Sequence, residues 1–183
     1  MFHHPPHSLG DNIVPAYTDP VQIVDRDEQG NIQMVRYEYP KAKDYIIRDI
    51  VPLLEKANVQ LVFYGHSNLW NRFESASGMH FLETSNVGNS YGAFTGKKRR
   101  FVPPAYRADY SAIGDPNGLN PVMPTIAPLL GEDGQPLPYI DSNDITAFSI
   151  FDTGNGGVSN YYFDTRKPES DVVKFDEFKL KNS

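Results

Sequence analysis

The sequence predicts a mixed α/β (α+β) fold in which one helix is combined with mostly antiparallel strands. Three observations lead to this prediction: one amphipathic helical pattern, one apolar run directly after it, and a C-terminal tail of alternating segments separated by a glycine-rich turn. Tyr and Phe each occur 11 times among 183 residues, whereas disordered chains are poor in aromatic residues. A chain of this length can therefore bury a core within one domain.

The N-terminal half begins with a predicted hairpin and a predicted helix. Residues 21–25 and 32–39 alternate apolar and polar residues around the polar turn 27–31, which predicts a β-hairpin. Apolar side chains at helical spacing then predict an amphipathic helix over about 41–58. Because proline lacks an N–H, Pro52 either kinks this helix or starts a second helical segment at its own first turn.

Two short segments predict further strands. Residues 59–64 are an apolar run that predicts a strand buried on both faces, and residues 79–84 predict a second strand. The residues up to His3 have the character of the end of a buried strand, so we expect the native start of the protein to lie upstream of Met1. Residues 92–142 are rich in proline and glycine and predict a long irregular excursion.

The C-terminal tail predicts antiparallel strands over residues 145–180. Residues 145–152 and 158–164 flank the turn 153–157, which contains three glycines and predicts a hairpin. Residues 172–180 alternate and predict a last strand.

Composition excludes several classes of function. The net charge of −6 and the pI of about 5.3 argue against nucleic acid as the main partner. The absence of cysteine excludes disulfides, zinc fingers, iron–sulfur clusters and thiol nucleophiles, and leaves the compartment open. The sequence holds no apolar run long enough for a membrane span, and its first residues lack the pattern of a signal peptide.

The placement of the five histidines is the main clue to function. His3 stands at the predicted end of one strand, and His66 directly follows the strand 59–64. Since ligands in α/β sheets gather at the carboxyl ends of strands, two imidazoles there can share one zinc, iron or manganese ion. Gly65 allows the sharp turn that would aim the His66 ring at that edge. The alternative is a histidine that only makes hydrogen bonds in a turn.

Two motifs carry a resemblance to a known family. The segment from Gly65 to Arg72, GHSNLWNR, resembles the Gly-His-x-His-x-Tyr-Glu-Arg segment of calcineurin-like metallophosphoesterases, and the purple acid phosphatase branch is the nearest comparison. Residues 3–8, HHPPHS, resemble the upstream His-x-Pro segment of the same family. The resemblance covers about residues 1–90. It implies that residues 1–183 are the C-terminal part of a metallophosphoesterase domain, which is a β-sandwich of mixed sheets with flanking helices.

The resemblance also implies a chemistry and a set of site residues. The family hydrolyses phosphate mono- or diesters with two divalent or trivalent metal ions of iron, zinc or manganese type. By the match of motifs, His3 and His66 would bind one ion, and position 68 would bind the other. Gly65 and Arg72 would shape the loop. Apart from the resemblance, His4 and His7 lie close enough in sequence to His3 to position a substrate or donate a proton to the leaving group. The alternative for both is a local role in the turn that the two prolines make.

The sequence departs from the family pattern in two ways. Asn68 stands where the family has a histidine, and an amide oxygen is a weaker ligand than imidazole for zinc or iron. The earlier family segments Asp-x-His and Gly-Asn-His are absent, so most of the metal ligands are missing. We therefore expect this chain to be inactive without a partner that supplies the N-terminal half of the domain. The alternative function is a non-catalytic β-rich binding or interaction module with a decayed metal site.

Overall fold

Nine strands and one short α-helix form the part of the chain that this computed structural model describes. That part consists of residues 1, 3–10, 21–38, 44–87, 90, 92–98, 114–115, 121, 133–135 and 137–181. The fold is mixed α+β and mostly β, in agreement with the prediction. Within the described residues, no helix is long and apolar enough to cross a membrane.

The predicted N-terminal hairpin is confirmed. Strands β1 (Val21–Arg26) and β2 (Ile32–Glu38) pair antiparallel and form a two-stranded sheet of their own. Asp27 shapes the turn between them, because its carboxylate accepts hydrogen bonds from the backbone N–H of Gln29 (3.0 Å) and of Asn31 (2.8 Å).

The predicted helix is present as two short segments. A π-helical turn (Ile46–Ile50) leads directly into α1 (Val51–Lys56), and Pro52 occupies the first turn of α1. Of the two alternatives for Pro52, the start of a second helical segment is therefore correct, since a proline in the first helical turn costs no hydrogen bond. Residues 41–43 of the predicted helix lie outside the described residues.

A four-stranded mixed sheet forms the centre of the molecule. It consists of β3 (Leu61–Tyr64), β4 (Trp70–Glu74), β5 (His80–Thr84) and β6 (Tyr139–Ile140), in the spatial order β3-β5-β4-β6. Strands β3 and β5 run parallel, whereas β4 is antiparallel to both of its neighbours. The carboxyl ends of β3 and β5 therefore lie at the same edge of the sheet, which is the edge where His66 follows β3.

Two strands of this sheet differ from the prediction. The strand predicted over 59–64 exists as β3, but it lies at the border of the described sheet and not in its middle. Its apolar run is explained by its two faces: Val62 and Tyr64 belong to one core cluster, and Leu61 and Phe63 pack against another. β6 lies inside the predicted irregular excursion 92–142, and most of that excursion is outside the described residues.

The strand that the sequence predicts up to His3 is not seen in the described residues, where neither Met1 nor His3 belongs to a strand. Residues 3–9 follow a series of bends, and Phe2 is outside the described residues. The carbonyl of His3 still accepts a hydrogen bond from the Gly65 N–H (3.2 Å), and Gly10 forms an isolated bridge with Ala93. Pro5 and Pro6 explain why no strand continues beyond His3, because neither can donate a hydrogen bond to a sheet.

The C-terminal tail forms the predicted antiparallel sheet. Strands β7 (Ile145–Asp152), β8 (Gly157–Asp164) and β9 (Val173–Lys179) lie in chain order, with β8 in the middle. The turn between β7 and β8 is held by Asp152, whose carboxylate accepts hydrogen bonds from the Gly154 N–H (2.8 Å) and the Asn155 amide (2.7 Å).

Two core clusters cover opposite faces of the four-stranded sheet. Phe73 and Phe81 belong to the first cluster, against which Val51 and Leu54 of the helical region pack. The second cluster joins side chains of the four-stranded and three-stranded sheets, and its members are Trp70, Leu82, Ile140, Ile145, Ala147, Val158, Tyr162 and Phe175. The three-stranded sheet therefore packs on the face of the central sheet opposite the helix.

Candidate functional site

Three histidines meet at the carboxyl end of β3. One ring nitrogen each of His3, His4 and His66 can be chosen so that all three lie within 4.8 Å of one another. The closest pair is Nδ1 of His66 and Nε2 of His3, which are 3.2 Å apart. The His4 ring centroid lies 4.2 Å from that of His66 and 4.9 Å from that of His3. We call these three residues the histidine cluster.

The backbone brings the two histidine-bearing segments together. The Gly65 N–H donates to the His3 carbonyl, which places the N-terminal segment beside the end of β3. His66 itself adopts a left-handed conformation with φ of 86°, and Asn68 does so with φ of 55°. Such values are uncommon for residues other than glycine and persist only where surrounding contacts impose them. The left-handed backbone turns the chain sharply at the end of the strand.

The electrostatics of the cluster favour the neutral form of His4 and of His66. Burial lowers the pKa of His66, and the neighbouring His4 and His3 lower it further. Burial also lowers the pKa of His4, with His3 adding to the effect. A neutral imidazole is the form that binds a metal ion, because the coordinating nitrogen must be free of its proton. The cluster is therefore electrostatically suited to a cation.

The spacing of the ring nitrogens fits a transition-metal ion. Imidazole nitrogens bind zinc at about 2.0–2.1 Å, so two ligands of one tetrahedral ion lie about 3.4 Å apart. The 3.2 Å separation of His3 and His66 already matches this value, and rotation of the His4 ring would complete a set of three nitrogens. Three histidines leave a fourth coordination position open, as in catalytic zinc sites. The arrangement can thus hold an ion that still accepts a further ligand.

The structure assembles some of the sequence-predicted site residues. His3 and His66 lie together, as the resemblance implies for two ligands of one ion. His4, for which the sequence predicts a substrate or proton-donor role, contributes the third nitrogen of the cluster. Asn68 lies two residues after His66 in the same loop and is half-buried. Its role as a ligand stays a prediction.

His7 lies in a buried environment of its own. The His7 Nδ1 is 2.7 Å from Oδ2 of Asp115, and the His7 ring is 6% exposed. Its ring packs edge-on against Phe81 with centroids 4.6 Å apart, and Phe73 lies at 5.8 Å. This is the environment of a histidine that holds the fold together. The predicted substrate or proton-donor role of His7 gains no support from it.

Arg72 connects the two stacked sheets. From β4, its guanidinium donates two hydrogen bonds to Asp176 of β9, at 3.0 and 2.8 Å, and both side chains are 6% exposed. The guanidinium also lies 4.4 Å from the ring centroid of Phe178. These partners belong to β9 and not to the loop before β4, so the loop-shaping role that the resemblance implies for Arg72 stays a prediction.

The sequence analysis missed Glu83, the central residue of a buried polar network. Glu83 lies on β5 and has no exposed surface. Its Oε2 accepts hydrogen bonds from the Ser8 hydroxyl (2.6 Å) and the Asn71 amide (3.1 Å). Its Oε1 accepts from the Ser67 backbone N–H (2.8 Å) and the Ser85 hydroxyl (3.3 Å). The available signal was an acidic residue inside the otherwise apolar strand of residues 79–84.

Burial of Glu83 changes its ionisation. Desolvation raises its pKa to about 7, although the hydrogen bonds from Ser8, Ser67 and Asn71 oppose the rise. The nearby Tyr64 phenol also has a raised pKa, because of burial first and then the charges of Glu83 and Asp115. The Tyr64 hydroxyl has no hydrogen-bond partner among the described residues. An ionisable carboxyl therefore lies under the loop that carries His66.

An open cavity of about 600 Å³ borders the histidine cluster, and its lining includes His3, Phe63, Gly65 and Thr84. Of the three cluster histidines, only His3 lines this cavity. No family model matches the chain, and no curated protein matches it. Functional inference therefore depends on the geometry of these residues and on the two motifs of residues 3–8 and 65–72.

Proposed function

We propose that the histidine cluster binds a transition-metal ion and that the chain is part of a metal-dependent phosphoesterase of the calcineurin-like type. The observation that carries the proposal is the approach of three imidazole nitrogens to within 4.8 Å at the carboxyl end of β3. His3 and His66 are also the two residues that the motif resemblance assigns to a shared ion. The packing of the three-stranded sheet on the central mixed sheet supports the sandwich architecture expected of this family.

The residues of this chain would hold the metal and admit the ester. His3 and His66 would bind the ion, and His4 would bind it as a third ligand or donate a proton to the leaving group. Metal ions of iron, zinc or manganese type, when bound, polarise the phosphate ester and lower the pKa of the attacking water. The cavity beside His3 has space for the phosphate and part of its alcohol.

This chain would supply only part of a dinuclear site. Three histidines and the Asn68 amide are too few ligands to hold two ions with open positions for substrate. The sequence also lacks the Asp-x-His and Gly-Asn-His segments that supply most other ligands in the family. The proposal therefore includes a partner polypeptide region that carries the N-terminal half of the domain, and the chain by itself is expected to be inactive.

A second candidate function is a non-catalytic binding module with a decayed metal site. The observation that favours it is Asn68, which stands at a position where the motif has a histidine ligand. The buried pairing of His7 with Asp115 is in keeping with this alternative, because it commits a second histidine of the motif region to the fold. The two candidates differ in whether the cluster binds a metal and whether the bound metal captures phosphate.

Metal binding by the purified chain tests the proposal. Calorimetric titration with Zn²⁺ or Mn²⁺ is expected to show one ion per chain, and His66→Ala is expected to weaken binding at least about 100-fold because it removes a ligand. The matched control is His80→Ala, since His80 lies on β5 against Phe178 and belongs to no described metal cluster.

Binding of inorganic phosphate separates the two candidate functions. Phosphate or vanadate is expected to bind to the metal-loaded chain and to be lost when a chelator removes the ion. Metal binding without anion binding would contradict the phosphoesterase proposal and leave a structural metal site. If neither metal nor phosphate binds, the chain is the non-catalytic module.

A further inference from the structure

The two segments that carry the histidine cluster are far apart in sequence, and one buried carboxylate connects them. Ser8 belongs to the N-terminal segment that contains His3 and His4, and its hydroxyl donates to Oε2 of Glu83 at 2.6 Å. Ser67 directly follows His66, and its backbone N–H donates to Oε1 of the same carboxylate at 2.8 Å. Each oxygen of Glu83 thus holds one of the two segments.

Asn71 provides a second connection between Glu83 and the N-terminal segment. Its side-chain amide donates to Oε2 of Glu83 at 3.1 Å, while its own carbonyl oxygen accepts the Leu9 N–H at 2.8 Å. The Ser8 hydroxyl in turn accepts a hydrogen bond from the Gly10 N–H at 3.0 Å. The backbone directly after Ser8 is therefore held by two side chains, Asn71 and Ser8 itself, that also hydrogen-bond to Glu83.

We propose that Glu83 is a positioning residue that holds the two histidine-bearing segments in register and thereby sets the affinity of the histidine cluster for a metal ion. The inference rests on the proposed metal site and adds a determinant of its affinity. Glu83 acts through Ser8 and Ser67, and no contact between Glu83 and the imidazole rings is required.

The chemistry of the site requires a carboxylate at position 83. Four donors converge on the two oxygens of Glu83, whose lone pairs can accept all of them. Glutamine has a single acceptor oxygen, and its amide nitrogen would face donors on the other side. Burial of a charge is costly, and an apolar strand residue would avoid that cost. A function in fixing the ligand segments explains why a carboxylate stands here.

The left-handed backbone of the loop explains why the hydrogen bond between Ser67 and Glu83 would affect the affinity for a metal ion. The left-handed φ of 86° at His66 is unfavourable for a residue with a side chain, so the loop needs contacts that hold it. The hydrogen bond from Ser67 N–H is made one peptide beyond His66. Loss of that bond releases the loop toward ordinary backbone conformations and moves the His66 ring relative to His3.

Substitution of Glu83 tests the inference, with Co²⁺ as the probe ion because its visible absorption reports coordination geometry. Glu83→Gln is expected to weaken Co²⁺ binding by about 10- to 100-fold, which is the usual range for residues that orient metal ligands. The intensity and position of the visible bands are expected to change as well. Ser8→Ala removes only one of the ties and is expected to give a smaller loss that is not additive with Glu83→Gln.

The matched control is Val158→Ala. Val158 is fully buried in the second core cluster and belongs to the three-stranded sheet, so its truncation loosens the fold without touching the network. Measured well below the melting temperature of each variant, Val158→Ala is expected to retain the affinity and spectrum of the unsubstituted chain. Unchanged Co²⁺ affinity and spectrum in folded Glu83→Gln would refute the inference while leaving the metal site intact.

The two proposals fail in different ways. If the unsubstituted chain binds no Co²⁺ or Zn²⁺, the proposed metal site fails and with it the role of Glu83 in metal affinity. If Glu83→Gln does not fold, Ser8→Ala decides the matter alone, and an affinity equal to that of the unsubstituted chain would overturn the inference. The positioning role of Glu83 is supported if the Ser67 amide hydrogen exchanges slowly in the unsubstituted chain and faster in Glu83→Gln, and if metal binding is weakened in the same variant.

Discussion

Glu83 should make the stability of the protein fall as the pH rises through neutrality. Burial raises its pKa from an ordinary value of 4.5 to about 7, so between these values the folded state holds a proton that the unfolded state has lost. Stability falls with pH wherever the folded state binds more protons. The contribution is therefore most favourable below pH 4.5, and it is lost as the pH rises through about 7.

The size of this effect follows from the two pKa values. The full gap corresponds to about 3 kcal/mol, and between pH 5 and pH 9 the expected loss is about 2 to 3 kcal/mol. Glu83→Gln removes the titration, so the stability difference between the unsubstituted chain and the variant isolates it. Groups that titrate equally in both proteins, including the histidines with lowered pKa values, cancel in this difference.

Urea denaturation of both proteins at the two pH values provides the measurement. The difference in the free energy of unfolding should move in favour of Glu83→Gln by about 2 to 3 kcal/mol on going from pH 5 to pH 9. At pH 9 the variant lacks some of the hydrogen bonds to Glu83, but it also avoids the cost of burying a charge. These two effects oppose each other, so the stability difference at a single pH decides nothing. The change of that difference between pH 5 and pH 9 is the decisive quantity. A difference that stays constant over this range would refute the assignment of a raised pKa to Glu83.

Two further substitutions test the packing that supports the site. Arg72→Leu should destabilise the fold by about 3–5 kcal/mol, because it leaves the buried carboxylate of Asp176 unpaired. The double variant with Asp176→Leu should recover much of that loss in thermal melts, and failure to recover it would contradict the ion-pair explanation. Gly10→Ala should destabilise by about 1–3 kcal/mol, because its Cβ would lie 2.2 Å from Cβ of Ser67. The companion variant Gly154→Ala lies at an exposed turn without a left-handed φ, where only the mobile end of the Asp152 side chain comes near the added Cβ, at 3.2 Å. It separates the clash from the general cost of replacing a glycine, and equal losses would count against the clash.

Local sequence patterns predicted the elements whose partners are near in sequence. The hairpins of residues 21–38 and 145–164 are joined by short turns, so alternation and turn residues are sufficient to define them. Pro52 likewise limited the predicted helix to two alternatives, a kink or a second segment that begins at its own first turn, and the structure shows the second.

Strand β4 escaped prediction because its polar residues depend on distant partners. Asn71 and Arg72 interrupt the apolar pattern of this segment, so the sequence pattern is typical of a loop and not of a strand. In the fold, Arg72 pairs with Asp176, which is 104 residues away, and Asn71 pairs with Leu9 and Glu83. The local sequence of residues 70–74 does not predict these contacts.

In the candidate site, too, the residues of local motifs could be predicted, whereas those that depend on distant contacts could not. His3 and His66 were singled out from their motifs, since each motif is a short local pattern. The participation of His4 in the cluster and the role of Glu83 depend on how the N-terminal segment folds against β3 and β5. The role of Glu83 cannot be predicted from the sequence, because its four hydrogen-bond donors come from three different parts of the chain.

The ion pair between Arg72 and Asp176 has a consequence for how the molecule moves. The loop that carries His66 leads directly into β4, and β4 is bound through Arg72 to β9 near the far end of the chain. Fluctuations that open the loop must therefore either stop at Trp70, which is buried against Phe175, or break a buried charge pair. The histidine cluster and the C-terminal sheet are thus connected through β4, and we expect the rigidity of the proposed metal site to depend in part on β9.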